Sequence, residues 1–94
     1  MVKEMKKFRK LLKDAGIEYE DWSDGDIDRT HFNFRGFEWS AVNGYGTYGG
    51  YIGSSSKNEG LLELNSSDED EDYPIGYLTA EEAMKYVKGE EDAT

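Results

Sequence analysis

Cysteine is absent from this chain, which excludes disulfide staples, thiolate zinc sites and a cysteine nucleophile. That absence suits a reducing compartment, so the cytoplasm is the expected location. Histidine is nearly absent as well, His31 being the only one. Neither a Ser-His-acid order nor an H-E-x-x-H helix can be drawn, and no P-loop lysine is present. Long apolar runs are missing too. Behind the basic start "MVKEMKKFRKLL" stand only two consecutive leucines, too few for a signal-peptide core, and no segment approaches membrane-spanning length. Val and Ile are scarce. Basic residues become scarce after residue 16.

What is present is acid, glycine and aromatic rings. Ninety-four residues make one domain, and a chain of this size buries about 60–65% of its unfolded surface. With seven Tyr, four Phe and two Trp, some rings must remain partly exposed, which favours contact surfaces. The net charge of −10 hides a division. Residues 1–16 carry six Lys/Arg against two acids, whereas residues 17–94 carry five basic groups against nineteen acids. A basic helix joined to an acidic body repels nucleic acid and attracts basic protein surfaces.

Val2, Met5, Phe8, Leu12 and Ala15 recur at helical spacing, with lysines on the other face, and predict a helix over residues 2–15. Gly16 is placed to cap it, with Ile17 folding back. The period then changes to two. Ile17 and Tyr19, then Thr30, Phe32 and Phe34, then "FEWSAV" (37–42) predict strands, with turns at "SDGD" (23–26) and Arg35-Gly36. Asn43-Gly44 reads as a two-residue hairpin turn into a strand over Tyr45–Ile52. "GLLEL" (60–64) reads as a further strand after the loop "SSSKNEG". Thr79 and Glu82 form a capping box for a short helix ended by Gly89. The expected fold is a single α+β domain over residues 1–88. In it an antiparallel sheet of four or five strands packs against an N-terminal helix and a short C-terminal one. A solvated acidic loop covers 65–73, and an acidic tail, 89–94, is expected to fray.

The stretch "NGYGTYGGYIG" (43–53) contains a literal G-x-G-x-x-G. That fingerprint needs a helix after it to receive a pyrophosphate, and none can be drawn. A hairpin explains the pattern better, since it would set Ala41 opposite Gly46, Trp39 opposite Tyr48 and Phe37 opposite Gly50. The glycines would then leave space for rings. A ligand surface built from Tyr45, Gly46, Tyr48, Gly49 and Tyr51 is the functional alternative.

Asp24, Asp26 and Asp28 imitate the first positions of a calcium loop, but Arg29 and Arg35 stand where glycine and glutamate belong. No metal or cofactor is expected. Carboxylates without two contrasting environments make no acid/base pair, so no catalytic residue is assigned and the chain is not expected to be an enzyme. His31 beside Asn33 and Arg35 has an ordinary solvated role available. The excess of acid opposes direct binding of nucleic acid or membrane, and the basic helix is expected to lie over the acidic sheet and balance it.

Two acidic clusters remain as the functional signal. Glu18, Glu20, Asp21, Asp24, Asp26 and Asp28 make the first, and Asp68, Glu69, Asp70, Glu71 and Asp72 the second. Alternate carboxylates on a strand point the same way about 6.6 Å apart, a spacing that can present charge to a cleft built for nucleic acid. Solubility is the plain alternative.

The segments "VNGYGTYGG" (42–50), "GLLEL" (60–64) and "PIGYLTAEEAMKYV" (74–87) resemble a group of small uncharacterised proteins encoded by bacteriophages. That resemblance implies a counter-defence or host-takeover role, as in anti-CRISPR proteins and sponges for nucleotide signals. The expected activity is inhibition of a host bacterial protein through a basic nucleic-acid-binding surface. The alternative is a nucleotide-signal or small-ligand sponge that uses the Gly/Tyr stretch. Self-association into a homo-oligomer is left open.

Overall fold

Met5, Phe8 and Leu12 are fully buried on one side of α1 (Lys3–Asp14), as their spacing requires. The helix stops where Gly16 turns left-handed, at φ 72°. There the Gly16 N–H donates to the Lys13 carbonyl at 3.0 Å and the Ile17 N–H to the Leu12 carbonyl at 2.8 Å. Those two bonds make a Schellman cap, and Ile17 is buried beyond it.

The computed structural model describes residues 1–52 and 57–93. Gly53, the "SSS" of the following loop and Thr94 lie outside the described residues. After α1 come β1 (Tyr19–Asp21), β2 (Asp28–Phe34), β3 (Phe37–Asn43), β4 (Leu62–Ser66), β5 (Ile75–Leu78) and α2 (Ala80–Val87). The strands form one antiparallel meander in the order β1-β2-β3-β4-β5. The architecture is the α+β one expected.

Period-two alternation gives the sheet two unlike faces. Thr30, Phe32, Trp39, Ala41, Leu62, Leu64 and Leu78 are buried on the inner face. Both helices cover it, and α2 contributes Ala80, Ala83, Met84 and Val87. Phe8, Phe32 and Trp39 pack in series, with centroids 5.7 and 6.3 Å apart. Each such side chain contributes about 1.5–3 kcal/mol by leaving water. The other face carries Glu20, Arg29, His31, Asn33, Glu38, Ser40, Glu63 and Asn65, and among the described residues no helix lies over it.

The β2–β3 turn takes positive φ at both central residues, 53° at Arg35 and 80° at Gly36, as a primed hairpin turn needs. A non-glycine residue is costly there. Arg35 is held by its side chain, whose Nε donates to the Val87 carbonyl at 2.8 Å and whose guanidinium lies 5.9 Å from the centroid of the Trp39 ring. The turn thus satisfies a carbonyl at the end of α2. At the other end of α2 the capping box forms as expected. The Glu82 N–H donates to the Thr79 hydroxyl at 3.2 Å, and the Thr79 N–H donates to the Glu82 carboxylate at 2.9 Å.

Three expectations are corrected. No strand runs through Tyr45–Ile52. Asn43 continues β3 opposite Asp28 and is 1% exposed, and neither Asn43 nor Gly44 has the positive φ of a two-residue turn. The strand read at 60–64 begins at Leu62 and runs to Ser66, so Asn65 and Ser66 belong to it and not to the acidic loop. The fifth strand is instead β5, within "YPIGYL". The tail is tied down, since the Ala93 N–H donates to Glu71 Oε2 and the Asp72 N–H donates to the Ala93 carbonyl.

Candidate partner-binding surface

The acids from Glu18 to Asp28 occupy the residue before β1, β1 itself, the turn after it and the first residue of β2. The hairpin tip closes with reciprocal bonds of 2.9 Å between Asp24 and Ile27 around Gly25 at φ 57°. Glu18, Glu20, Asp24 and Asp26 are exposed. Asp21 and Asp28 are engaged by their own chain. Asp21 accepts from Arg9 Nη2 at 3.0 Å and from the Ser23 N–H at 2.9 Å. These bonds, the Arg9 one foremost, hold its carboxyl well below the usual carboxylate range. Asp28 accepts the Val2 N–H at 3.2 Å. The first cluster therefore presents four exposed carboxylates, Glu20 among them lying near His31, and two that are committed within the chain.

Trp22 sits in the middle of this hairpin and was not singled out by the sequence. It is 48% exposed, yet its ring lies flat on His31 with centroids 3.9 Å apart and planes 2° from parallel. His31 lies between two carboxylates, with Nδ1 3.9 Å from Glu20 and Nε2 3.7 Å from Glu38. Its Nδ1 is buried without a hydrogen-bond partner among the described residues. The only sequence signal for the pair was the period-two phase, which puts residues 20, 22, 31 and 38 on one face.

The second cluster lies elsewhere. Ser66 pairs with Trp39, so the loop Asp68–Asp72 leaves the sheet at the Arg35-Gly36 end, whereas the tip at Asp24–Asp26 lies at the opposite end beside Asn43. β1 and β4 are three strand spacings apart, about 14 Å. The two clusters are not brought together. The loop is also braced, because the Asp70 N–H donates to Asp68 and Glu71 binds the tail. Burial first, then the charges of Glu71 and Asp68, push the Tyr73 hydroxyl up to about 12.

The Gly/Tyr stretch folds as a compact loop between β3 and β4. Asn43 organises it, its Nδ2 donating to the Leu61 carbonyl at 2.8 Å and to Asn58 Oδ1 at 3.0 Å. Gly44, Gly49 and Gly50 serve close approach. A Cβ at Gly44 would lie 2.9 Å from Ile27 Cγ1 and one at Gly49 2.9 Å from Leu61 Cβ, while one at Gly50 would strike the Gly44 carbonyl. Space for rings opposite Trp39 and Phe37 is not their purpose. Tyr45 and Tyr51 stack on each other at 4.1 Å. Tyr48 leans on Tyr77 at 6.3 Å, and its N–H is taken by Glu63. Gly46 is exposed and left-handed at φ 79°. Glu63 and the nearby Asp26 and Asp28 give the loop a carboxylate setting, which disfavours phosphate.

The basic helix lies over the inner face of the sheet, as expected, but its lysines do not balance the acidic clusters. Arg9 is its basic side chain that reaches the hairpin, and Lys7 pairs with Glu81 on α2 at 2.7 Å. Lys3, Lys6, Lys10 and Lys13 are exposed along its outer side. The apolar side takes the sheet, so the lysines must face water.

Among the described residues no group of three acidic or histidine side chains converges as a metal would need, and no helix is long and apolar enough to cross a membrane. Comparison with protein-family models, with curated proteins and with solved structures found no match to this chain.

Proposed function

We propose that this protein is a non-enzymatic binder that docks its acidic β1–β2 hairpin on a basic protein surface, of the kind that otherwise holds nucleic-acid phosphates. The observation that carries this reading is Trp22. A half-exposed tryptophan stacked on His31, with Glu20, Asp24 and Asp26 near it in the chain, combines an aromatic anchor with a carboxylate rim. Its ring is already ordered, so docking costs little rotamer entropy. The carboxylates supply attraction to Lys and Arg and a fast encounter. Competition with nucleic acid at that surface makes the protein an inhibitor by mimicry. A bacteriophage counter-defence role against a host bacterial protein, anti-CRISPR-like in kind, is part of the proposal and rests on the resemblance of the three C-terminal segments.

The test is parallel capture from bacterial lysate on the wild-type protein and on Trp22→Ala. A protein retained by the wild type alone, and released by added duplex DNA or by RNA, supports the proposal. Retention of the same proteins by both, with no release by nucleic acid, contradicts it.

A further inference from the structure

The two outer strands of the sheet end differently. At β5 the edge is covered, since the Tyr77 N–H donates to the Tyr48 carbonyl at 3.0 Å and Gly76 lies against the Tyr48 side chain. At β1 nothing among the described residues covers it. The Trp22 N–H donates to the Arg29 carbonyl, and Glu20 stands opposite His31. Antiparallel ladders alternate, so residues 20 and 22 turn their peptide groups toward β2. Tyr19 and Asp21 turn theirs outward. That edge is a template for one more strand.

The side chains around it define what the strand would carry. On the helix side, a hollow of about 690 Å³ is lined by Gly16, Ile17 and Tyr19, with Lys13, Glu18 and Asp21 around it. Asp21 is already neutralised by Arg9, so this side favours apolar residues. The other side of β1 carries Glu18 and Glu20, beside a second hollow of about 590 Å³ that reaches His31 and Asn33. This side favours Lys or Arg. A second copy of the chain is a poor occupant, because pairing β1 with β1 sets acidic side chains against acidic ones, glutamates where the pairing centres on Tyr19 or Glu20 and aspartates where it centres on Asp21.

We propose that the free edge of β1 takes up an extended segment of the partner in which apolar and basic residues alternate. This rests on the protein-binding reading above and gives it a mode, strand addition.

The test uses the labelled full chain and three short synthetic peptides. In one Val and Lys alternate, in one the same residues stand in two blocks, and in one Val and Glu alternate. With the first, the amides of Tyr19 and Asp21 should exchange with solvent about tenfold more slowly at ten times the Kd, while the Glu20 amide, already in the ladder, stays unchanged. The block peptide and the Val/Glu peptide should leave Tyr19 and Asp21 unprotected. The double variant Glu18→Lys/Glu20→Lys, changed only at exposed positions, should reverse the preference between the alternating peptides. No binding of the Val/Lys peptide at millimolar concentration, equal protection by the block peptide, or an unreversed preference overturns the proposal. A nucleic-acid-competed partner that needs Trp22, without edge protection, leaves the binder standing and removes strand addition. Edge protection without such a partner does the opposite.

Discussion

Trp22 lies flat against His31, planes 2° apart, on the side of the sheet that no helix covers. The contact bridges the edge strand and its neighbour, so it should matter more for recognition than for folding. Trp22→Ala removes a ring that is half in water, and stacking of this kind contributes about 0.5–1.5 kcal/mol beyond area. The melting temperature should fall by only a few degrees, about 4–8 °C per kcal/mol for a domain of this size. Partner affinity should fall by about 2 kcal/mol or more, as for an aromatic hot spot. Melting curves and titration calorimetry separate the two effects. A large loss of stability with affinity retained would make Trp22 a structural residue.

Gly44 lies against the hairpin tip. A Cβ there would stand 2.9 Å from Ile27 Cγ1 and 3.1 Å from the Asp26 carbonyl oxygen. Gly44→Val should therefore destabilise by about 1–3 kcal/mol through overpacking, measured as a shift in denaturation midpoint. The effect should shrink in the background of Ile27→Ala, because the two residues share one space. Strict additivity in that cycle would mean that the backbone of Gly44, and not its neighbour, sets the cost.

At the acid end, Asp21 and Glu82 both have carboxyls held below their ordinary range, Asp21 first by Arg9 and Glu82 first by the Thr79 backbone N–H. A depressed carboxylate stabilises the fold above its unfolded pKa of about 4. That contribution is lost as pH falls through the folded value. Stability should thus decline below about pH 4, and Asp21→Asn should flatten part of the decline. Tyr73 has the opposite sign. Its raised pKa, about 12, favours the neutral ring in the fold, so its contribution is complete below about pH 10 and lost as pH rises toward 12. Tyr73→Phe should extend the alkaline limb, read by thermal melts across pH. An unchanged limb would remove Tyr73 as its source.

The elements that depend on local chemistry were legible in the sequence. The stripe of Met5, Phe8 and Leu12, the cap at Gly16 and the box at Thr79 and Glu82 each rest on residues a few positions apart. Elements that depend on distant partners were not. Asn43-Gly44 carries the strongest local hairpin signal, but its turn would have removed Asn43 from the ladder opposite Asp28 and from its bonds to Asn58 and Leu61. β5 is short and contains a glycine that makes room for Tyr48 from the β3–β4 loop, a contact no local pattern records. The site divides in the same way. Exposed acids could be read directly, whereas the ordering of Trp22 by His31 needs the register of β1 on β2. Which carboxylates are spent within the chain depends on Arg9 and on the Val2 N–H, and neither is near them in sequence.

The most direct measurement is the association rate with the captured basic partner, followed against ionic strength and with the partner's nucleic-acid site empty or filled. Steering by the summed field of Glu18, Glu20, Asp24 and Asp26 is screened over about 8 Å at physiological salt. The rate should fall steeply as salt rises, fall further when Asp24 and Asp26 are changed to Asn, and vanish when nucleic acid fills the site. A rate indifferent to salt, with this protein and nucleic acid bound to the partner together, would contradict the account.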